Sequence, residues 1–233
     1  RFALLSSSMR FTDSPVVELP VGGAVLTFEQ DNGSMHVGTS VWPCSLVLVK
    51  FVERWLPRPA AAAAAVPNPY ADLLLFPGKR AVELGSGCGP AGLGLFLLGL
   101  EVILTDIAPV MPALRRNLKR NRPALPRAPK HAQLYWNNTG QIRALRPPFD
   151  LVIAADVVYM EDSAAQLVTA MEALVGDDGA VLLGYQLRSP DAHQVFWDLC
   201  RQAFPVIEKV PHEDLHPDYA YEETDVYILR KRK

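Results

Sequence analysis

Short apolar runs alternate with amphipathic stretches along most of the chain. The apolar runs predict strands buried on both faces of a sheet, at residues 81–84, 151–155 and 180–185. Apolar positions at helical spacing predict helices at residues 108–121, 163–175 and 190–204. This alternation of strands and helices indicates an α/β domain with a mostly parallel sheet and helices on both faces.

The C-terminal part of the chain departs from this pattern. Residues 206–210 and 224–230 alternate as strands, and the segment between them is too short for a crossover helix. One of these two strands is therefore expected to be antiparallel. Before them, we predict a short strand at 132–136, a very short or missing element near 137–148, and a turn at 176–179.

The N-terminal part has its own pattern. Residues 16–30 predict two short strands around Gly22-Gly23, a dipeptide typical of hairpins, and an amphipathic helix is predicted at 43–56. The alanine- and proline-rich segment 57–69 predicts a loose surface insertion. We expect a disordered leader at 1–15 and a single domain at 16–233, whose cofactor-binding core spans 80–233.

Composition narrows the class of protein. Apolar residues make up 49% of the 233 positions and charged residues 21%, which supports a substantial core and argues against global disorder. The net charge of −2 excludes a basic nucleic-acid footprint at the level of the whole chain, and no apolar run is long enough to span a membrane. The cysteines and histidines show no metal-ligand spacing. We therefore expect a monomer without metal, with reduced thiols, in the cytoplasm or the nucleus.

Residues 80–106 predict a strand, a glycine turn, an apolar helix and a second strand that ends on Asp106. The turn glycines allow the backbone and the N-terminus of the helix to approach a ligand closely. An acid 21 residues after Gly85 stands where nucleotide-binding α/β folds place the acceptor for ribose hydroxyls. The stretch therefore predicts a cofactor that contains adenosine.

Two residues of this stretch favour S-adenosylmethionine over a dinucleotide. Pro90 stands where the dinucleotide fingerprint Gly-x-Gly-x-x-Gly has its last glycine. The negative charge of Glu83 would repel a pyrophosphate but suits the amino and sulfonium groups of S-adenosylmethionine. The expected antiparallel strand also departs from the usual dinucleotide fold. An NAD-dependent dehydrogenase stays an alternative.

Residues 82–106 resemble the first two motifs of the seven-strand S-adenosylmethionine-dependent methyltransferases. Three further segments narrow the resemblance: SVWPCSLVLVKFVE, LYWNN and AADVVYMED. Within the last, Asp156-Val157-Val158-Tyr159 is similar to the Asp-x-x-Tyr signature of the protein-lysine methyltransferases, a group that includes enzymes acting on heat-shock chaperones and on valosin-containing protein. The resemblance implies a Rossmann-like seven-strand sheet and a protein substrate such as a chaperone or an ATPase.

The resemblance also implies which residues bind the cofactor. It places S-adenosylmethionine on Trp42, Gly85, Ser86, Gly87, Asp106, Trp136 and Ala155, and the charge argument adds Glu83. Trp136 would offer its flat face to the adenine, and Trp42 would close over the methionine end by a cation–π contact with the sulfonium. The alternative for both tryptophans is packing in the core.

Asp156 and Tyr159 are the predicted catalytic residues. They follow a buried strand, where hydrogen bonds with their side chains would orient the amine of an acceptor lysine. The alternative is that Asp156 caps the following segment and Tyr159 only packs. Two other functions stay open at this point: a small-molecule methyltransferase, and a non-catalytic binding module built on the same fold.

Overall fold

The computed structural model describes residues 12–56 and 67–232 of the chain. Nine strands and seven α-helices lie in these ranges. The strands are β1 (Val16–Val21), β2 (Ala24–Glu29), β3 (Arg80–Leu84), β4 (Glu101–Asp106), β5 (Lys130–Gln133), β6 (Phe149–Ala155), β7 (Val175–Tyr185), β8 (Val206–Lys209) and β9 (Asp225–Arg230). The helices are α1 (Pro43–Trp55), α2 (Ala71–Leu74), α3 (Pro90–Leu97), α4 (Met111–Asn121), α5 (Thr139–Ala144), α6 (Glu161–Leu174) and α7 (Pro190–Ala203).

The large sheet has seven strands in the order β5-β4-β3-β6-β7-β9-β8. The pairs from β5 through to β7 are parallel, and β9 runs antiparallel to both of its neighbours. The expected mostly parallel sheet with an antiparallel C-terminal strand is therefore confirmed. From β3 the chain first adds strands on one side and then returns to add β6 on the other, so the sheet order reverses between β3 and β6.

Alternate residues of the central strands pack into two hydrophobic cores, one on each face of the sheet. Ala81 and Leu151 join a core formed with α1, α3, α4 and the hairpin, whereas Val82 and Val152 join a core formed with α5, α6 and α7. This division explains why these strands are apolar throughout and do not alternate. The helices thus cover both faces, as predicted.

The predicted hairpin is confirmed, since β1 and β2 pair antiparallel around Gly22-Gly23. Its second strand is held to α4 by two buried asparagines, one helical turn apart. The Asn117 side chain accepts a hydrogen bond from the Glu29 N–H at 2.8 Å and donates to the Glu29 carbonyl at 3.1 Å. Asn121 does the same with Thr27, at 2.8 Å for both bonds. The two amides thus satisfy an edge that would otherwise need another strand.

Several predicted boundaries were wrong. The predicted turn at 176–179 belongs to β7, whose pairing with β6 changes register between Phe149 and Leu151. The predicted strand at 132–136 lies two residues earlier and ends at Gln133, so Trp136 lies in the turn beyond it. Helix α5 supplies the short element near 137–148, and the one-turn helix α2 was not predicted.

The two segments expected to be irregular fall largely outside the described residues. These are the leader 1–15, of which residues 1–11 lie outside, and the insertion 57–69, of which residues 57–66 lie outside. Within the described part of the leader, the carbonyls of Thr12 and Ser14 accept hydrogen bonds from the Gln30 side chain. Among residues 12–56 and 67–232, no helix combines the length and the apolar character that a membrane span needs.

Candidate active site

A cavity of about 370 Å³ opens at the carboxyl ends of β3, β4 and β6. It lies where the strand order reverses between β3 and β6, the position at which open α/β sheets bind ligands. All ten residues predicted for the site line this cavity: Trp42, Glu83, Gly85, Ser86, Gly87, Asp106, Trp136, Ala155, Asp156 and Tyr159. The fold thus brings together side chains from five separate segments of the chain.

The glycine turn after β3 is closed by its own hydrogen bonds. The N–H of Ser86 donates to the Thr105 carbonyl at 2.9 Å, and the N–H of Gly87 donates to Asp106 Oδ2 at 2.7 Å. The Ser86 hydroxyl accepts from the Thr105 N–H at 3.0 Å. These amides were expected to face a ligand, but in the structure they hold the turn against β4. A loop that cradles phosphates needs free N–H groups, so this turn suits a cofactor without a pyrophosphate.

Positive φ angles at Gly85 (68°) and Gly87 (56°) explain the need for glycine in the turn. A Cβ atom on Gly85 would lie 2.8 Å from Val157 Cγ1 and 3.5 Å from the Trp136 ring. A Cβ atom on Gly87 would lie 2.9 Å from the Gly38 carbonyl oxygen. The turn therefore packs directly against the wall that faces it, and Trp136 is part of that wall.

Asp106, the last residue of β4, is buried with both carboxylate oxygens hydrogen-bonded. Oδ2 accepts from Gly87, and Oδ1 accepts from the Ile107 N–H at 2.7 Å. A carboxylate has about four acceptor positions, so lone pairs remain for the two hydroxyls of a ribose. Burial raises the pKa of Asp106 to about 6.

Glu83 lies on the central strand β3 and is only 2% exposed. Its Oε2 atom is buried without a hydrogen-bond partner among the described residues. Burial raises the pKa of this carboxyl to about 7, and hydrogen bonds from Ser86 and the Gly92 N–H offset part of that effect. A buried carboxylate with one oxygen that lacks a well-formed hydrogen bond, in the wall of a cavity, fits a cationic ligand group, because an incoming positive charge would compensate its charge. The site therefore fits S-adenosylmethionine, which carries an amino group and a sulfonium.

Asp156 directly follows β6, with a positive φ of 60° and its N–H donated to the Gly184 carbonyl at 3.0 Å. Its carboxylate is held by two hydrogen bonds from Arg188: Nε to Oδ1 at 2.8 Å and Nη2 to Oδ2 at 2.7 Å. The Asp156 side chain is 3% exposed and that of Arg188 is 12% exposed. Asp156 is thus one half of a buried ion pair, which the sequence did not predict.

Arg188 also contacts the predicted cofactor-binding residue Trp42. The guanidinium carbon lies 4.9 Å from the centroid of the Trp42 ring, a cation–π distance. The indole N–H of Trp42 donates to the Val37 carbonyl at 2.9 Å, which fixes the plane of the ring. The cation that the structure places against Trp42 is therefore a residue of the chain itself. One signal in the sequence points to Arg188: it follows the buried strand β7, whose carboxyl end adjoins that of β6.

Tyr159 lines the cavity close to the carboxylates and is 38% exposed. Partial burial and the negative charges of Asp106 and Asp156 raise the pKa of its hydroxyl. Ala155, the last residue of β6, lies beside Asp156 in the cavity wall. Cys88 also lines the cavity wall, and burial raises the pKa of its thiol to about 12. The thiol is therefore unreactive, and Cys88 fits the turn because its side chain is small.

A segment between β2 and α1 forms a wall that the sequence did not predict. Residues 35–38 line the cavity, and Met35 is 91% exposed at its mouth. Hydrogen bonds from the Gly87 and Ile107 N–H groups, and then the proximity of His36, lower the pKa of Asp106 and offset part of the effect of burial. No hydrophobic periodicity marks this segment, which explains why it escaped prediction. In the parts of the chain that the structure describes, no group of three or more metal-ligating side chains occurs.

The sequence matches the lysine methyltransferase family over residues 22–203. Protein N-lysine methyltransferase METTL21A of Danio rerio is 29% identical over 211 residues, which cover 89% of this chain and 83% of the relative. EEF1A lysine methyltransferase 3 of Xenopus tropicalis is 26% identical over 184 residues, which cover 78% of this chain and 73% of that relative.

Solved structures show the same fold at lower identity. A T. thermophilus 16S rRNA N2 G1207 methyltransferase in complex with AdoMet and guanosine superposes with a TM-score of 0.62 and 20% identity, covering 93% of this chain and 50% of that longer one. A glycopeptide N-methyltransferase superposes with a TM-score of 0.52 and 16% identity, covering 68% of this chain and 83% of the other. The family match extends over more than half of the chain. The chain therefore belongs to the lysine methyltransferase family, and it is an S-adenosylmethionine-dependent protein-lysine methyltransferase.

Proposed function

We propose that this enzyme methylates its lysine substrate in the cavity at the carboxyl ends of β3, β4 and β6, with Asp156 and Tyr159 at the acceptor end. One observation carries the proposal: the same cavity is lined by two buried carboxylates, Glu83, whose Oε2 lacks a well-formed hydrogen bond, and Asp156. The first suits the cationic methyl donor, and the second suits the incoming amine. The two halves of the reaction thus have separate residues.

In this proposal the cofactor-binding residues divide the ligand among them. Glu83 faces the amino and sulfonium groups, and Asp106 accepts the ribose hydroxyls. Trp136 lies against the adenine, and Trp42 closes over the methionine end together with Arg188. The turn residues Gly85, Ser86 and Gly87 form the floor, and Ala155 forms the wall between the two halves. S-adenosylmethionine supplies the methyl group when it is bound.

The chain has to provide a neutral, aligned amine. Only about 1 in 2,500 lysines with an ordinary pKa is neutral at pH 7, which corresponds to about 4.6 kcal/mol. Entry into the cavity removes the amine from bulk water and so favours its neutral form, because burial disfavours the charged form. Lone pairs of the Asp156 carboxylate and the Tyr159 hydroxyl would then hold the amine by hydrogen bonds and set its angle of approach.

We further propose a protein substrate of the chaperone or ATPase class, which the Asp-x-x-Tyr signature supports. The Xenopus tropicalis relative is named for lysine methylation of EEF1A, so that protein joins the candidates. The enzyme would act as a monomer, without nucleic acid, in the cytoplasm or the nucleus. Three buried free thiols, Cys44, Cys88 and Cys200, support this location because reducing compartments keep cysteines unpaired.

Methyl transfer into whole cell protein tests this function. The purified enzyme is incubated with methyl-labelled S-adenosylmethionine and either a protein extract or the small-molecule fraction of the same cells. We expect label in a discrete protein band and, by mass spectrometry, on the ε-amine of a lysine. The Gly85→Ala variant should transfer less label to protein, because its added methyl group would clash with Val157 and narrow the cavity.

Two outcomes would contradict the proposal. Label that enters only the small-molecule fraction would favour the small-molecule methyltransferase. Absence of both label and S-adenosylmethionine binding, measured by calorimetry, would favour a non-catalytic module.

A further inference from the structure

We propose that Arg188 is a positioning residue that neutralises the Asp156 carboxylate, so that the acceptor lysine can lose its proton inside the site. This inference rests on the proposed acceptor role of Asp156. Arg188 would act through Asp156 and Trp42 and not on the reacting atoms themselves. Its role would be to let a carboxylate orient the amine without holding it in the charged form.

The geometry around Arg188 is that of a fixed, directional contact. Two parallel N–H donors reach the two oxygens of Asp156 at 2.8 and 2.7 Å, the bidentate arrangement that arginine makes with carboxylates. The face of the guanidinium lies over Trp42 at 4.9 Å. Both side chains of the ion pair are nearly buried. Arg188 therefore has little freedom to leave Asp156, and the lone pairs that face away from it stay available.

The charge of this pair bears directly on the reaction. An unpaired carboxylate within about 4–6 Å of an amine raises the amine pKa by about 1–3 units, because it stabilises the ammonium. Methyl transfer needs the lone pair that this proton occupies. A carboxylate already neutralised by arginine stabilises the ammonium far less, yet it still accepts a hydrogen bond from the neutral amine. The proton lost by the lysine passes to bulk water before transfer.

The other charged and titratable groups that face the pair come from three elements. Cys44 of α1 has its pKa raised well above the ordinary value, first by burial and then by the charge of Asp156. Tyr159, after β6, also has a raised pKa. The carboxylate of Glu223, in the loop before β9, acts on Arg188 and accepts a hydrogen bond from Gln186 at 2.6 Å. The thiol and the phenol both stay neutral between pH 6.5 and 9.

Two carboxyls elsewhere in the cavity do titrate near neutral pH. They are Glu83, with a pKa of about 7, and Asp106, with a pKa of about 6. Both belong to the cofactor half of the site and are present in every variant. A ratio of variant to wild-type rate, taken at saturating S-adenosylmethionine, therefore removes their contribution.

The test compares wild type with Arg188→Gln and with the double variant Asp156→Asn/Arg188→Gln. The readout is the initial rate of methyl incorporation into the labelled protein, purified from the extract and used at saturating concentration, between pH 6.5 and 9, because only then does the rate report the amine bound in the site. For Arg188→Gln we expect the midpoint of the pH–rate profile to lie about one unit higher than in wild type, since the amine pKa rises by that amount. The ratio of variant to wild-type rate is then about 0.1 below the wild-type midpoint and approaches one above both midpoints. In the double variant the charges cancel again, so its ratio should be low but flat with pH.

The double variant also protects the test against misfolding. A lone buried carboxylate destabilises a protein, whereas a neutral pair of similar shape does so far less. Calorimetric titration with S-adenosylhomocysteine at each pH shows that a variant is folded and binds.

The same pH–rate midpoint for Arg188→Gln as for wild type would overturn the inference and leave Arg188 a structural support only. A pH-dependent ratio in the double variant would overturn it as well. Failure of the wild type to label any protein would instead count against the proposed function itself.

Discussion

Glu83 and Asp106 line the same cavity, but their carboxyl groups differ in how completely they are hydrogen-bonded. Asp106 accepts two well-formed backbone hydrogen bonds, whereas Glu83 is assisted by Ser86 and Gly92 and its Oε2 lacks a well-formed hydrogen bond. Burial raises the pKa of both carboxyls, to about 7 for Glu83 and about 6 for Asp106. A charge-compensating ligand group at Glu83 would recover the cost of its burial. Binding of the cofactor should therefore depend on pH in a direction that these two residues set.

We expect S-adenosylmethionine to bind about tenfold or more weakly at pH 6 than at pH 8. The charged carboxylate binds the cation, so affinity is full above a pKa of about 7 and is lost as the pH falls through it. Protonation of Asp106 near pH 6 adds to the loss. Calorimetry at both pH values measures the effect, and Glu83→Gln should remove most of it while weakening binding at pH 8. Equal wild-type affinity at the two pH values would contradict this role of Glu83.

At the scale of secondary-structure elements, α4 completes the hairpin in place of a third strand. Asn117 and Asn121 each pair with both the N–H and the carbonyl of one residue of β2, and both side chains are buried. The hairpin continues into the segment whose residues 35–38 line the cavity. The asparagines therefore connect the stability of the fold to the shape of the site.

Replacement of either asparagine by alanine should lower the free energy of unfolding by about 1–3 kcal/mol. Each change leaves a partly buried backbone N–H and carbonyl of β2 without partners. Urea denaturation monitored by circular dichroism provides the measurement. Lys119→Ala is the matched control, because Lys119 lies on the exposed side of the same helix and should change stability by less than about 0.5 kcal/mol. Equal effects of the asparagine variants and the control would contradict the interpretation.

At the scale of the whole molecule, the cavity joins two parts of the chain. The sheet forms its floor, and the segment before α1 forms one wall. The Val41 N–H donates a hydrogen bond to the Gln30 side-chain oxygen at 2.6 Å, which fixes this segment to the end of the hairpin. The Gly38 carbonyl in this wall packs on Gly87 of the turn. A ligand in the cavity would therefore contact both parts at once and stabilise the folded chain as a unit.

Saturating S-adenosylmethionine should raise the thermal midpoint by about 5–10 °C. A ligand at 100 times its Kd contributes about 2.7 kcal/mol, and about 2–4 °C per kcal/mol is typical of domains with 150–250 residues. Differential scanning calorimetry measures the shift. NAD at the same concentration is the control and should give no shift, since Ser86 and Gly87 donate their N–H groups within the chain. A shift with NAD alone would contradict the assignment of the cofactor.

The sequence predicted most of the sheet because its strands are apolar and its turns carry glycine and proline. It also predicted that ten residues would meet, since the carboxyl ends of parallel strands share one edge. It could not predict the pair of Asp156 with Arg188, because 32 residues separate them and only the adjacency of β6 and β7 joins them. The sequence did not predict the register change in β7 or the cavity wall at 35–38 for a related reason. Both depend on tertiary contacts and not on the local sequence pattern.

In the proposed function the site has a cofactor half and an acceptor half, and Asp156→Asn tests this division most directly. One preparation of the variant is used to measure S-adenosylhomocysteine affinity by calorimetry and methyl transfer to the labelled protein band. We predict an affinity within about threefold of wild type and a transfer rate at least about 100-fold lower, because the amide keeps the shape of the carboxylate but replaces one of its two acceptor oxygens by a donor and so misaligns the amine. Retained transfer, or a loss of affinity as large as the loss of rate, would contradict the account.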